Sequence, residues 1–486
     1  VINNSQVASL KNIGKAFTSC IWEPHLGTCY ERSSYYRPLH TLSIMFTRAV
    51  SDGPLVFHLV NIVYYIVFCW LTFVLLGRLF RDRLAAILGT LVFLFHPLHA
   101  ESVMWISGLP ELLMGIFAIL AFLSHDSRRY RLAGFLFFLA LLSKETAIAL
   151  IPVVIIYDSD ARSGRSPDPV ERRGWRNYIW YVLAFAVYLV MRIPAVGLSK
   201  KIPFDFGVSF WEKASAVVSA FGLYFKKLFL PWPLSPVIPI EPGFGVEFWA
   251  GLALFIIFVS MFVYLISRQA RNDKEFVILA EAGIQLRRFL GFGLLIYFFF
   301  LLPPLAAMFS AFTRGDLIIA DRYLSFPLIG FAIILGYLVG EIFKKSDDKK
   351  RALCYSIAPV VAILAFWGWQ TFNQNKIWAS SQNLYEHIYA VNEKRGFTAD
   401  KTTFNLAVIY EKNGETGKAE TLYSGVISRA GDFPLSGSQA ANNLGLILMR
   451  RGDLAGAESL FRKAMDIFPS NPAPKNNLDL LKNGVK

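Results

Sequence analysis

Long apolar stretches, separated by short clusters of Lys and Arg, occupy the chain from about residue 54 to residue 372. Only 17% of the 486 residues are charged, whereas a soluble globular protein carries roughly 25%. About 20 consecutive apolar residues are enough to cross a bilayer as a helix. The pattern therefore predicts an all-α fold, a polytopic membrane helical bundle.

Eight stretches have the length and apolarity of membrane spans, namely residues 54–77, 84–100, 109–124, 177–193, 248–267, 289–305, 320–343 and 352–372. A ninth, 131–157, is interrupted by Ser143-Lys144-Glu145, and we expect two half-length helices meeting at a polar tip there. The segment 214–230 breaks the alternation of sides, so we interpret it as interfacial or re-entrant. The predicted span count is about ten.

Five loops are rich in Lys and Arg, whereas the loop His99–Pro110 has neither. Because positive loops stay in the cytoplasm, we expect residues 1–53 to form a first extracytoplasmic loop, 54–372 the multi-span domain and 373–486 an extracytoplasmic domain. The predicted location is a bacterial inner membrane, or an endomembrane in a eukaryote. These loops account for much of the net charge of +14, and no basic stripe outside them indicates nucleic-acid binding.

The four cysteines show no spacing typical of a zinc site. Cys20 and Cys29 share the N-terminal polar segment, where an extracytoplasmic environment would allow a disulfide bond. Cys69 and Cys354 lie in or beside apolar spans, and we expect buried thiols there.

The polar C-terminal region carries the spacing of tetratricopeptide repeats, in which small residues stand where helices touch. One copy contains Leu444, Gly445, Leu448, Gly452, Ala457, Phe461, Ala464 and Pro469, and an earlier copy contains Leu406, Ala407, Tyr410, Gly414, Ala419 and Tyr423. Leu478 begins a predicted capping helix, and Trp378, Leu384, Tyr385 and Ala390 fit a degenerate leading unit. Such arrays bind peptides or proteins.

Polar groups at membrane depth are functional candidates because burying them is costly. Five places qualify: Tyr35 to His40 with Arg37, His96 to Glu101 with His99, the tip Lys144-Glu145, Arg192, and Asp321-Arg322-Tyr323. In the predicted topology all five face the outer rim, where convergent cations suit a lipid-linked phosphate.

Structural alternatives exist for several of these residues. Arg192 could extend to the interface without a functional role. Lys144 and Glu145 could neutralise each other in a helix break, and His96 could cap or pack a helix end. Two imidazoles and Glu101 could bind a divalent metal or a sugar hydroxyl, but they are too few to decide metal dependence.

The ordered motifs YYRPL, FHPLHAE, LLSKETAIALIPVVIIYD and ADRYLSFP, followed by tetratricopeptide repeats, resemble the transmembrane and tetratricopeptide-containing O-mannosyltransferases and their bacterial relatives. The resemblance implies a GT-C-type membrane glycosyltransferase with a polyprenyl-phosphate-linked sugar donor and an extracytoplasmic, protein-type acceptor. It does not fix the sugar or the lipid.

The resemblance also implies roles for individual residues. Arg37, Lys144, Arg192 and Arg322 would hold the lipid phosphate, and Glu101 with His99 would lie beside the acceptor or a metal as catalytic residues. Relatives carry an acidic pair just before a stretch like that at Val1, so the expected catalytic acid lies upstream of Val1.

Two other classes of protein remain as alternatives. A non-catalytic membrane scaffold would anchor the repeats for assembly of a surface structure, but an anchor needs no polar cluster. A lipid or polysaccharide transporter would show symmetry between its halves, and no matching pair of interrupted helices is found.

Overall fold

A computed structural model describes most of the chain. The described residues are 4–20, 35–162, 175–196, 209–240, 243–268, 280–310, 318–345, 348, 354, 357–395, 400–431 and 433–483.

The described residues form an all-α fold, as predicted, with one minimal antiparallel ladder. The helices of the membrane part are α1 (Ile13–Thr18), α2 (Pro38–Val50), α3 (Pro54–Phe80), α4 (Arg83–Phe95), α5 (Ala100–Met104), α6 (Leu109–Asp126), α7 (Tyr130–Ser143), α8 (Leu150–Arg162), α9 (Ile179–Val196), α10 (Phe210–Phe229), α11 (Val246–Arg268), α12 (Ala280–Ser310), α13 (Leu328–Lys345) and α14 (Ala358–Trp378). The repeat helices are α15 (Ser381–Lys394), α16 (Asp400–Lys412), α17 (Thr416–Ser428), α18 (Pro434–Arg450), α19 (Leu454–Ile467) and α20 (Pro472–Asn483). Strands β1 (Ile238–Pro239) and β2 (Ile318–Ile319) pair in antiparallel register.

Four of the described helical stretches are long and apolar enough to cross a membrane. They are Pro54–Phe80, Ile106–Asp126, Arg176–Val196 and Arg288–Phe309. These helices are long and apolar, and they expose apolar side chains at their surfaces. They identify a membrane protein. The larger predicted number of spans, the sidedness and the three predicted domain ranges stay predictions.

Two predicted spans have different bounds from those expected. The span 84–100 is bent by 49° between Arg83–Phe95 and Pro97–Met104, since the residue before a proline disfavours helical backbone. The span 320–343 begins only at Leu328. Residues 321–324 form a 3-10 helix instead, and the charged side chains of this turn are held by partners on other elements.

The interrupted segment 131–157 folds as predicted. Helix α7 ends at Ser143, Lys144 is extended with φ −159° and ψ 134°, and a 3-10 helix at Glu145–Ala149 leads into α8. The break places Lys144 and Glu145 at the junction of the two short helices.

Glycines bring the membrane helices into close contact. A Cβ at Gly293 in α12 would lie 2.5 Å from the carbonyl oxygen of Gly330 in α13, and one at Gly89 in α4 would lie 2.7 Å from that of Ala332 in α13. In lipid, the hydrophobic effect contributes little to helix association, so helices associate by close packing. Small residues allow the two backbones to approach each other. Helix α13 is therefore fixed between α4 and α12.

The repeat array consists of helix pairs, as the spacing predicts. Gly414 and Gly452 end the first helix of each copy with positive φ of 81° and 87°, a conformation that favours glycine. The amide nitrogen of Asn443 donates to the Tyr423 hydroxyl at 3.2 Å, and Asn405 contacts Tyr385 in the same way at 3.3 Å. Equivalent hydrogen bonds thus join successive units.

The cysteines behave in two ways. Cys20 is disulfide-bonded, and its predicted partner Cys29 lies outside the described residues. Cys69 is a buried free thiol, as expected, whereas Cys354 is free but exposed, so the predicted burial of Cys354 is wrong.

Candidate functional site

The first ion pair of the predicted rim joins Arg322 to Glu101. One Glu101 oxygen accepts a hydrogen bond from the Arg322 backbone N–H at 2.8 Å, and the other pairs with Nη1 of the guanidinium. The Glu101 side chain is 3% exposed and that of Arg322 is 22% exposed. The guanidinium carbon also lies 5.0 Å from the ring centres of both Trp105 and Tyr323. Arg322 is therefore held by its carboxylate and by two aromatic faces.

The second pair joins Lys144 at the helix break to Glu111 in the first turn of α6. Both side chains are almost completely buried. The Lys144 ammonium also lies 4.8 Å from the centre of the Tyr323 ring. Lys144 and Arg322 thus share Tyr323 as a neighbour, which places the first two pairs side by side.

The third pair joins Arg37 to Glu145. Arg37 Nη2 and Nε donate to the two carboxylate oxygens at 2.8 and 3.3 Å, a two-point arrangement that fixes the guanidinium plane. Adjacent residues of the tip, Lys144 and Glu145, therefore pair with different partners rather than with each other.

A fourth pair supports the turn that carries Arg322. The ammonium of Lys227, in the last turn of α10, pairs with Asp321, and the Ser235 backbone N–H donates to the other Asp321 oxygen at 3.0 Å. Both charged side chains are buried. Helix α10, the 231–240 loop and the Asp321 turn are thereby fixed to one another.

The first three pairs act on one another electrostatically. The Glu111 carboxylate interacts with Arg37 and Arg322 as well as with Lys144. Residues separated by up to 285 positions in the chain (Arg37 and Arg322) are therefore assembled into one cluster. We call Arg37, Lys144, Arg322, Glu101, Glu111 and Glu145 the rim cluster.

The remaining predicted site residues are placed differently. The His99 ring is buried 4.4 Å from the ring centre of Phe93 and 5.1 Å from that of Tyr65. His96 bonds the Leu228 carbonyl oxygen at 3.0 Å and caps the following turn. Arg192 interacts electrostatically with Tyr188. The structure thus brings Arg37, Lys144, Arg322 and Glu101 together and places His99 in an aromatic surrounding.

No group of three or more His, Cys, Asp or Glu side chains that could hold a metal occurs among the described residues. A role for His99 and Glu101 as metal ligands stays a prediction.

Sequence reasoning missed Glu111 and Lys227. Glu111 stands at the start of an apolar helix, and a carboxylate in such a position is itself a signal of function. The pairing of Glu111 could not be recognised from the sequence, because its partner Lys144 is 33 residues away along the chain. Lys227 lies in the segment 214–230, which the sequence indicates only as interfacial or re-entrant.

Comparisons with known proteins agree with the repeat array and with the family resemblance. The tetratricopeptide repeat family model matches residues 438–468, which lie in α18 and α19. Protein O-mannosyl-transferase TMTC3 of Homo sapiens is 23% identical over 401 residues, covering 74% of this chain and 41% of that protein. Protein O-mannosyl-transferase F38B6.6 of Caenorhabditis elegans is 26% identical over 444 residues, covering 87% of this chain and 58% of that protein.

Protein O-mannosyl-transferase TMTC1 of Homo sapiens is 22% identical over 424 residues, covering 76% of this chain and 45% of that protein. The chain spans about half the length of these curated relatives. No solved structure matches the chain. The family resemblance predicted from the motifs is confirmed: this membrane protein is homologous to protein O-mannosyl-transferases and carries a tetratricopeptide repeat near its C-terminus.

Proposed function

We propose that the chain is a membrane glycosyltransferase that moves a sugar from a polyprenyl-phosphate-linked donor to a hydroxyl of a protein acceptor on the extracytoplasmic side. The observation that carries the proposal is the rim cluster, in which Arg37, Lys144 and Arg322 converge from distant parts of the chain. The names of the relatives make mannose the first sugar to test.

The cations suit the leaving group of this reaction. The acceptor oxygen attacks the anomeric carbon, the bond from that carbon to the phosphate oxygen breaks, and the phosphate departs with an additional negative charge. Fixed cations that meet this developing charge lower the barrier. Arg322 contacts Glu101 through Nη1, and because a guanidinium carries five N–H donors, other donors remain for a phosphate.

The carboxylates have a complementary role. The acceptor hydroxyl must lose its proton to a base during the transfer, and Glu101 stays the predicted catalytic carboxylate of the described part of the chain. Its two hydrogen bonds from Arg322 also hold that arginine in place. Glu111 and Glu145 hold Lys144 and Arg37 in the same manner.

The proposal is tested with the purified full-length protein in lipid nanodiscs, a polyprenyl-phosphate mannose donor and Ser- and Thr-containing peptides. Donor consumption and the mass of the peptide are measured. We expect Arg37→Gln and Arg322→Gln each to lower the transfer rate about 100-fold or more, by analogy with loss of a charge-stabilising donor.

Arg78→Gln is the matched control. Arg78 is also paired with a carboxylate, Asp126, but it is 58% exposed and lies at the opposite end of α3 from the rim. It should leave the rate unchanged. If the unaltered protein consumes no donor with any of the peptides, the proposal is wrong and the scaffold alternative is favoured.

A further inference from the structure

The side chain of Tyr323 lies among the cations of the rim cluster. Its ring centre is 4.8 Å from the Lys144 ammonium and 5.0 Å from the guanidinium carbon of Arg322. The side chain also interacts electrostatically with Arg37 and Glu111. Tyr323 therefore neighbours all three cations, yet none of the roles described above uses its hydroxyl.

This hydroxyl is an unused hydrogen-bonding group. Within the described part of the chain it has no hydrogen-bond partner, whereas Arg37, Lys144 and Arg322 are each paired with a carboxylate. A phenol O–H is a donor to oxygen acceptors. It can therefore donate to an incoming ligand without breaking a contact that already exists.

The surroundings of the hydroxyl are open at the surface. Tyr323 is only partly buried, and the aromatic residues Tyr35 and Trp105 of the same cluster are 43% and 38% exposed. These two rings pack on cluster cations as well, since the Arg37 guanidinium lies 4.4 Å from the Tyr35 ring centre and that of Arg322 lies 5.0 Å from the Trp105 ring centre. The Arg322 side chain is 22% exposed. A ligand at the surface can thus reach both Arg322 and the Tyr323 hydroxyl.

The turn that carries Tyr323 is fixed before any ligand binds. The preceding residues Asp321 and Arg322 are held by Lys227 and Glu101, and the Arg322 backbone N–H donates to Glu101 at 2.8 Å. A donor that is already in place loses little conformational freedom on binding. It also needs no reorientation when charge develops on the ligand.

We propose that Tyr323 binds the sugar donor, with its hydroxyl donating a hydrogen bond to the phosphate of the polyprenyl-phosphate-linked sugar and its ring holding Arg322 and Lys144. The inference rests on the proposed function. A phosphate group has several oxygens, so one can accept from Arg322 while another accepts from Tyr323. Hydrogen bonds to a charged acceptor are stronger than those to a neutral one, which favours the phosphate over a sugar hydroxyl as the partner.

The test measures binding of a lipid phosphate separately from transfer, on the full-length protein in phosphatidylcholine nanodiscs. The probe is farnesyl phosphate, which carries a phosphate monoester and no sugar, and its binding is followed by microscale thermophoresis. Tyr323→Phe keeps the ring and removes the hydroxyl. We expect it to weaken binding of farnesyl phosphate about tenfold, because a hydrogen bond to a charged group is lost. The unfolding midpoint should not change, since the ring contacts remain.

Transfer kinetics of the same variant provide a second measurement. The KM for the sugar donor should rise by less than the loss in farnesyl phosphate binding, because the intact phosphodiester carries less charge than a monoester. The kcat should fall, since the phosphate gains charge as it departs and the missing hydrogen bond would have strengthened at that point. The KM for peptide should stay constant.

Tyr337→Phe is the matched control, because it removes the same hydroxyl from a tyrosine that is 7% exposed in α13. The Tyr337 ring packs on Phe80, which lies at the same end of α3 as Arg78 and therefore away from the rim cluster. This variant should change neither binding nor transfer. Farnesol, which has the same chain without the phosphate, should bind the unaltered protein and Tyr323→Phe equally.

The outcomes separate the inference from the proposed function. Farnesyl phosphate binding that depends on the Tyr323 hydroxyl, without any sugar transfer, supports the phosphate contact and contradicts the glycosyltransferase. Transfer by the unaltered protein with undiminished binding of farnesyl phosphate to Tyr323→Phe overturns the inference alone, even if the KM for the sugar donor rises, since the hydroxyl would then contact the sugar. A lower unfolding midpoint for Tyr323→Phe overturns it, because the hydroxyl would then stabilise the fold.

Phosphatidylglycerol added to the nanodiscs distinguishes the sugar donor from ordinary membrane lipids as the source of the phosphate. We expect it not to displace farnesyl phosphate. Displacement at equal concentration would overturn the inference, because the site would then accept any lipid phosphate. Failure of the unaltered protein to bind farnesyl phosphate overturns it as well.

Discussion

Replacing Glu111 with Gln would leave the Lys144 ammonium buried without its carboxylate. The two side chains are 5% and 3% exposed, so water cannot take the place of the lost charge. Removal of one partner of a buried ion pair typically destabilises a protein by about 3–5 kcal/mol. Lys144 can escape by losing its proton, which for an ordinary lysine costs about 4.6 kcal/mol at pH 7. This sets an upper limit, and we expect Glu111→Gln to lower the free energy of unfolding by about 3–4 kcal/mol.

The loss is measured as a shift of the unfolding midpoint of the full-length protein in detergent. Arg78→Gln is the control, because the exposed Arg78 should contribute less than about 1 kcal/mol. The double variant Glu111→Leu with Lys144→Met, which removes both charges and keeps apolar volume, should recover most of the stability. If Glu111→Gln is no more destabilising than Arg78→Gln, or if the double variant is the least stable, the assignment of a buried pair is refuted.

Three further substitutions test packing and the site. Gly330→Val in α13 should press on the backbone of α12 and lower the melting temperature, at a cost of about 1–3 kcal/mol, whereas Gly77→Val, with open space around it, should not. Phe461→Ala, which empties a fully buried position of the repeats, should cost about 3–5 kcal/mol and speed proteolysis of the array. Leu454 is 53% exposed, so Leu454→Ala should neither lower the stability to that extent nor speed proteolysis. Arg322→Lys keeps the charge but loses the planar fork, so transfer should stay at least about tenfold below that of the unaltered protein.

The regular parts of the fold were predictable because they follow local rules. Apolar length alone identifies α3, α6 and α9 as candidate spans. The polar triplet at residue 144 indicates the helix break, since charged groups are costly inside a continuous span. The repeats were predictable because glycine at 414 and 452 and small residues at fixed intervals are required wherever two helices turn back on each other.

The partners of the rim cations were not predictable from one sequence. The sequence indicates that Arg37, Lys144 and Arg322 share one side of the membrane, but each is neutralised by a carboxylate from another element. Which carboxylate reaches which cation depends on how the helices pack. The late start of α13 has the same origin, because the turn before it is held by Glu101 and Lys227.

Neutral pairing in the rim cluster has a consequence for catalysis. Three cations and three carboxylates leave no formal net charge there, so a donor phosphodiester with one negative charge gains little on binding. The departing phosphate monoester carries more charge and therefore gains more from cations that are already in place. Interactions that strengthen as charge develops raise the rate, whereas those equally strong in the bound donor do not.

Glu145→Gln tests this reasoning, because it frees the Arg37 guanidinium while Glu145, 38% exposed, is not needed to fill a core. The freed guanidinium should bind the donor phosphate more tightly before reaction, so we expect the KM for donor to fall severalfold. The reaction should not become faster, because the additional binding free energy stabilises the bound donor before it reacts. Release of the polyprenyl phosphate product should slow. Steady-state constants for donor and inhibition by added polyprenyl phosphate measure both effects. A higher KM for donor would instead show that Glu145 is required to orient Arg37, and that its charge does not weaken donor binding.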